Sequence, residues 1–201
     1  MGDAPGQYFS PEPTVASAPL QVSLHLPDLS LTLQTDRGVF AGGGVDPGTK
    51  ILLLDGSAAP FAGDLLDLGC GYGPIALTLA VRSPAAHVWA VDVNERARSL
   101  CAANAAANGI TNITVAAPDD VPAELRFAAV WSNPPIRVGK GALHELLKRW
   151  LDRLADGSCA SLVVQKHLGA DSLMRWLAEQ GWPTTRVAAR QGYRVLQVLP
   201  R

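Results

Sequence analysis

Three short stretches of this chain hold residue types that do chemistry. The first is Leu65-Leu66-Asp67-Leu68-Gly69-Cys70-Gly71-Tyr72-Gly73-Pro74, an apolar run that ends in an acid and passes into glycine at every second position. Glycine lets a ligand approach the backbone with no Cβ in the way. The helix start expected at Pro74 offers unpaired N–H groups and the positive end of a dipole. The second is Asp92, which closes the apolar run Val88-Trp89-Ala90-Val91 at about the distance where an acid grips ribose hydroxyls. The third is Ser132-Asn133-Pro134-Pro135-Ile136, where a side-chain amide stands beside prolines that carry no N–H.

Gly-x-Gly-x-Gly by itself also fits a tight turn with no ligand. Asp67 shifts that reading, because a carboxylate in this loop repels a pyrophosphate and suits a cationic amino group or a sulfonium. With Asp92, the implied ligand has a ribose, a positive charge and no essential phosphate. S-adenosylmethionine fits that description, and NAD fits it less well. In a doubly wound sheet Asn133 would face the methyl donor from a neighbouring strand end. Its side-chain oxygen and the Pro134 carbonyl can accept the two hydrogens of a planar exocyclic amine. Such acceptors favour a pyramidal nitrogen whose lone pair points at the methyl group, so catalysis is alignment and electrostatic fit. The plainer alternative for Asn-Pro-Pro is a rigid turn at a strand end.

The elements that must position these residues are legible as alternation and period. Residues 1–19 are rich in Pro, Ala, Gly and Ser and read as a loosely ordered arm. Residues 21–34 alternate apolar and polar about the turn Pro27-Asp28, an antiparallel hairpin that must lie over the main domain. Residues 38–44, with three consecutive glycines, form a loop that is either a linker or a lid. Asp46 or Thr49 then caps a short helix carrying Ile51, Leu52 and Leu54. Strands are expected over 64–67, 87–92, 113–116, 127–131 and 160–164. Helices are expected over 74–82, from the Asn94 cap to 107, along Leu143 to a stop at Gly157, and from an Asp171 cap past Leu177. Segments 184–188 and 193–199 close the chain as a hairpin. Alternating strands and helices give an α/β, doubly wound, parallel sheet in which one late strand runs antiparallel. The division expected is an N-terminal arm and hairpin over 1–45 and the catalytic domain over 46–201.

Length, at 201 residues, suits one domain. The net charge of −1 is not that of a protein that grips nucleic acid by charge alone. One local basic patch is available in Arg137, Lys140, Lys148, Arg149 and Arg153, the last three reading as the solvated face of a helix. No apolar run approaches the ~20 residues of a membrane span, and no signal peptide is evident. Three cysteines in no ligand spacing and four scattered histidines suggest neither disulfides nor a metal, and a reducing cytoplasm is the expected location.

The chain resembles class I S-adenosylmethionine-dependent methyltransferases. Within them it is similar to the small-domain group related to the small-subunit ribosomal RNA guanine-N2 methyltransferases. The motifs that carry this are Gly38-Val39-Phe40, Asp46-x-Gly48-Thr49, the Asp67 loop, Val91-Asp92-Val93-Asn94, Asn133-Pro134-Pro135-Ile136-Arg137-x-Gly139-Lys140, Gln165-Lys166 and Gly192-Tyr193-Arg194-Val195-Leu196. The resemblance implies a Rossmann-like seven-stranded methyltransferase sheet, last strand antiparallel, with an N-terminal β-hairpin extension. It implies cofactor binding by Asp67, Gly69, Gly71, Gly73, Asp92, Val93 and Asn133, with the methionine end at the Asp67 loop, the ribose at Asp92 and the adenine near residues 117–120. Catalysis would fall to Asn133, Pro134 and Pro135, and substrate binding to Ile136, Arg137 and Lys140. The implied partner is ribosomal RNA, with no membrane and no metal, for a monomer or small homo-oligomer. Ile136 stands where such amine methyltransferases often carry an aromatic. That keeps a protein glutamine amide or a small molecule open as substrate. A non-catalytic cofactor-binding partner of an RNA-modifying complex is a further alternative.

Overall fold

A computed structural model describes residues 15–201, so most of the expected arm lies outside the described residues. β1 (Leu20–His25) and β2 (Ser30–Thr35) form the expected antiparallel hairpin. Its alternation buries Leu24, Leu31 and Leu33 in one core with the helices that follow. Asn104 fastens it further, its Nδ2 donating to Gln34 O at 2.8 Å and its Oδ1 accepting from Gln34 N at 2.7 Å.

Then come α1 (Pro47–Asp55), β3 (Ala62–Leu68), α2 (Pro74–Arg82), β4 (Ala85–Val91), α3 (Glu95–Ala107), β5 (Ile113–Ala116) and β6 (Phe127–Ser132). The chain continues through α4 (Lys140–Leu151), β7 (Leu154–Gln165), α5 (Ala170–Glu179), β8 (Thr184–Arg190) and β9 (Tyr193–Val198). The sheet order is β5-β4-β3-β6-β7-β9-β8. β9 runs antiparallel to both β7 and β8, and the pairings among β3 to β7 are parallel. This is the Rossmann-like methyltransferase sheet that the motifs imply.

Successive residues of the inner strands feed opposite cores. Leu65, Ala129 and Trp131 pack with α1, α2 and α3, whereas Leu66, Leu68 and Val130 pack with α4 and α5. A strand covered on both faces reads as a continuous apolar run, as β6 does.

Two boundaries differ from the sequence expectation. The fourth helix ends at Leu151, not near Gly157, and Gly157 lies inside β7 at φ 74°. Leu154 sits at helical spacing from Leu147 and Leu151, but it is the first residue of β7, opposite Phe127. At the fifth helix, Gly169 occupies the N-cap at φ 104° and Asp171 lies in the first turn. A carboxylate there still favours the helix dipole without capping it.

Candidate active site

The strand order reverses between β3 and β6, and ligands of open α/β sheets bind beyond the strand ends at such a point. Asp67 pairs with Trp131, so two residues further on Gly69 and Asn133 stand level past the sheet edge. Ser132 Oγ ties the two strand ends, donating to Leu68 O at 2.6 Å. A cavity of about 530 Å³ opens here, within the usual range of small-molecule sites. Gly69, Gly71, Asp92, Val93, Asn133, Pro134, Pro135, Ile136 and Arg137 all stand on its wall.

The wall suits an adenosyl cofactor. A Cβ added at Gly69 or Gly71 would meet no atom within 4 Å, so the space over this loop is open to a ligand. Asp92 Oδ2 accepts from Gly71 N at 2.9 Å and Oδ1 accepts from Asn94 N at 2.9 Å. Val93 N–H also bonds to this carboxylate, and acceptor capacity remains for a hydroxyl. Burial pushes the Asp92 carboxyl above its ordinary range, against the pull of those backbone N–H groups. Pro118 also lines the cavity. Its neighbour Asp119 points elsewhere, accepting from Arg149 Nη2 at 2.8 Å.

Across the cavity, Asn133 Nδ2 donates to Asp46 Oδ1 at 2.9 Å and to Thr49 Oγ1 at 3.1 Å. The Pro134 carbonyl accepts Ile136 N–H at 2.8 Å. Pro135, at φ −74° and ψ 74°, forms the centre of that tight turn. One of the two lone pairs of the Pro134 carbonyl is therefore engaged, and one is left for a substrate.

Three residues expected in the site lie off this wall: Asp67, Gly73 and Lys140. Strand alternation explains Asp67, which shares the face of Leu65 and so lies beneath α2 and not in the crevice. Its side chain is fully buried, Oδ2 accepts from Ala76 N at 2.8 Å, and Oδ1 has no hydrogen-bond partner among the described residues. Burial pushes its pKa from 3.8 up to about 8. Between about pH 4 and 8 the folded chain therefore keeps a proton that the unfolded chain releases, and stability is lost as pH rises through that window. Asp67→Asn removes the loss. In thermal unfolding, the variant's gain in Tm over the parent should be small near pH 4, grow toward pH 8 and level off above it. A gain that does not vary with pH would mean that Asp67 is not held protonated.

Gly73 is a packing residue. It stands at φ 99°, and a Cβ there would lie 2.6 Å from Leu77 Cδ1 and 2.8 Å from Cys101 Sγ. Leu77 and Cys101 are fully buried and have no room to retreat. Gly73→Ala should cost roughly 2 kcal/mol, seen as a Tm lowered by about 4–8 °C. Lys140 begins α4, one residue past the left-handed Gly139. The basic patch is also thinner than its composition suggests. Lys148 pairs with Glu145, and Arg149 with Asp119. Arg153 is not solvated: it lies over the Phe127 and Trp150 rings and donates to Leu125 O and Pro122 O.

Two aromatics with no role assigned from sequence stand on the wall, Phe40 and Tyr193. Phe40 belongs to the loop over residues 38–44, whose ends are fastened by Asn94 Nδ2 donating to Gly38 O and Tyr72 Oη donating to Gly44 O. The signal for both was an aromatic in a glycine-marked stretch, Gly38 and Gly42 about Phe40 and Gly192 before Tyr193. Among the described residues no helix is long and apolar enough to cross a membrane.

The family described as methyltransferase small domain matches residues 30–197. The uncharacterized protein YbxB of Bacillus subtilis (strain 168) is 35% identical over 193 residues, covering 94% of this chain and 96% of that protein. The ribosomal RNA small subunit methyltransferase C of Pseudomonas aeruginosa (strain LESB58) is 35% identical over 174 residues, covering 79% of this chain and 52% of that protein. The chain thus spans about half the length of the relatives of that name. Among solved structures, the T. thermophilus 16S rRNA N2 G1207 methyltransferase, in complex with AdoMet and guanosine, superposes with a TM-score of 0.77 at 24% identity, over 94% of this chain and 52% of that one. Sheet order, cavity and family match agree, and the chain belongs to the methyltransferase small domain family of class I S-adenosylmethionine-dependent methyltransferases.

Proposed function

We propose that this chain methylates the exocyclic amino group of a guanine in ribosomal RNA. The observation that carries the reading is the placement of Asn133 level with Gly69, with Pro134 and Pro135 following it, on the wall of the cavity that Asp92 and Gly71 also line. The 35% identity to ribosomal RNA small subunit methyltransferase C supports the choice of substrate.

S-adenosylmethionine, when bound, would supply a methyl group activated on a sulfonium, whose sulfur would be left as a neutral thioether. Asp92 and Val93 would hold its nucleoside part, and Gly69 and Gly71 would give its amino-acid end room against the backbone. Asp67 acts from beneath by holding the first turn of α2 through Ala76 N–H. Asn133 Oδ1 and the Pro134 carbonyl accept the two N–H groups of the substrate amine and aim its lone pair at the methyl carbon. The nitrogen then sheds one proton to water at the cavity mouth. No strong base is required, because the methyl group sits on a sulfonium, whose leaving group is a neutral thioether. Arg137, on the wall, and Lys140, just beyond it, contact phosphate at the rim.

One observation favours a second reading. Lys148, Arg149 and Arg153 are engaged within the chain, and Ile136 offers no aromatic ring to a base. A protein glutamine amide or a small-molecule amine asks for less basic surface. Incubating the purified protein with methyl-labelled S-adenosylmethionine and an extract from a strain lacking it separates the two. Label in ribosomal RNA is the expected result. Label confined to protein or small molecules would give the second reading the site.

A further inference from the structure

A primary amide has two ends of nearly equal size and opposite chemistry, an acceptor oxygen and an NH₂ donor. Turned the wrong way, Asn133 would set its own NH₂ against the NH₂ of a substrate. The structure contains a device that decides the sense. A carboxylate accepts and does not donate, so the atom of Asn133 lying 2.9 Å from Asp46 Oδ1 is the NH₂ nitrogen. Thr49 Oγ1 takes its second hydrogen at 3.1 Å. The planar amide then sends Oδ1 to the opposite side.

Asp46 is itself immobilised. It is the N-cap of α1, the same Oδ1 accepts Thr49 N–H at 3.0 Å, and Pro47 opens the helix. Asp46 and Asn133 share the wall of the cavity although they are 87 residues apart in the chain. Helix capping explains Asp46 as far as Thr49 N–H. It does not explain a buried-side contact to an amide at the far end of another strand.

We propose that Asp46, with Thr49, is a positioning residue that fixes the Asn133 amide with its oxygen as the acceptor for the substrate amine. The inference rests on the role given above to Asn133. It also makes the site selective: a substrate presenting NH₂ is matched, and one presenting a carbonyl oxygen at that point faces an acceptor.

Four variants of the full chain test this. Asp46→Ser keeps a capping hydroxyl and removes the carboxylate. Asp46→Asn keeps one acceptor oxygen. Thr49→Val keeps the shape and removes the hydroxyl. Asn133→Ala identifies the Asn133 side-chain NH₂ signals in ¹⁵N NMR by their disappearance. Asp46→Ser should shift those signals and raise their hydrogen-exchange rate, with Asp46→Asn between it and the parent. With ribosomal RNA from a strain lacking the protein, Asp46→Ser should lower kcat by about tenfold to a hundredfold, by analogy with outer-sphere partners of other sites. Thr49→Val should lower it less, and the Kd for S-adenosylmethionine should stay near the parent value. Unmoved Asn133 signals in Asp46→Ser would overturn the proposal, as would a loss that falls on cofactor Kd with kcat intact. If the parent chain leaves that RNA unlabelled, the substrate reading fails, and the NMR comparison still decides the clamp.

Discussion

Asn133→Ala is expected to lower the methylation rate by about a hundredfold or more, with little change in S-adenosylmethionine affinity. The side chain lies across the cavity from Asp92, and its nitrogen is taken up by Asp46 and Thr49. What the substitution deletes is therefore the acceptor that meets the substrate amine. An interaction made at the reacting centre is lost from kcat and kcat/KM together. Single-turnover rates and calorimetric cofactor titration separate the two quantities. A collapse of cofactor binding with the turnover of bound enzyme preserved would move Asn133 to the other side of the reaction. Thermal unfolding of the variant is the control, because Asp46 keeps its Thr49 N–H bond without Asn133.

Asp92→Ala should do the reverse, weakening S-adenosylmethionine binding by about tenfold or more before it affects the turnover of bound enzyme. Two effects add. The carboxylate is lost as an acceptor for ribose hydroxyls, and Gly71 N–H and Asn94 N–H lose the Asp92 oxygens, so the loop beneath the ligand loosens. Asp92→Asn should fall between the parent and the alanine variant, since one amide oxygen cannot replace two carboxylate oxygens. Affinity should also depend on pH. Because burial raises the Asp92 pKa, protonation begins above the ordinary carboxylate range, and affinity falls as pH is lowered into it. An unchanged Kd in Asp92→Ala would remove this residue from the nucleoside site.

What the sequence disclosed follows the range of the forces involved. Period and alternation report burial, and they gave the hairpin over 21–34, the apolar β6 and the helix capped by Asn94 close to their observed places. The glycine loop and Asn-Pro-Pro were legible because their backbone demands are local. Errors came where one residue satisfied two patterns. Leu154 continues a helical period and also starts β7, and only pairing with Phe127 decides between them. Asp67 looked like a ligand contact because it ends a strand, yet two-residue alternation from Leu65 already assigned it to the α2 face. The Asp46–Asn133 contact left no local trace, since it joins segments 87 residues apart. Arg153 looked solvated because a charge at helical spacing usually is, and the ring pair Phe127 and Trp150 that holds it comes from two separate elements.

The hairpin β1-β2 has a consequence for how the chain is made. It leaves the ribosome before the main sheet, but the residues that fasten it, Asn104 and Asn108, follow 70 and 76 residues after their partners Gln34 and Thr32. A two-stranded hairpin is marginal by itself in water. Until α3 has emerged, Leu24, Leu31 and Leu33 therefore have no complete core to enter. While those intervening residues are being made, the hairpin carries open strand edges and apolar side chains, which is when such edges pair with the wrong partner. Its alternation with polar Gln21, Ser23, Thr32 and Gln34 keeps one face of that early ribbon compatible with water.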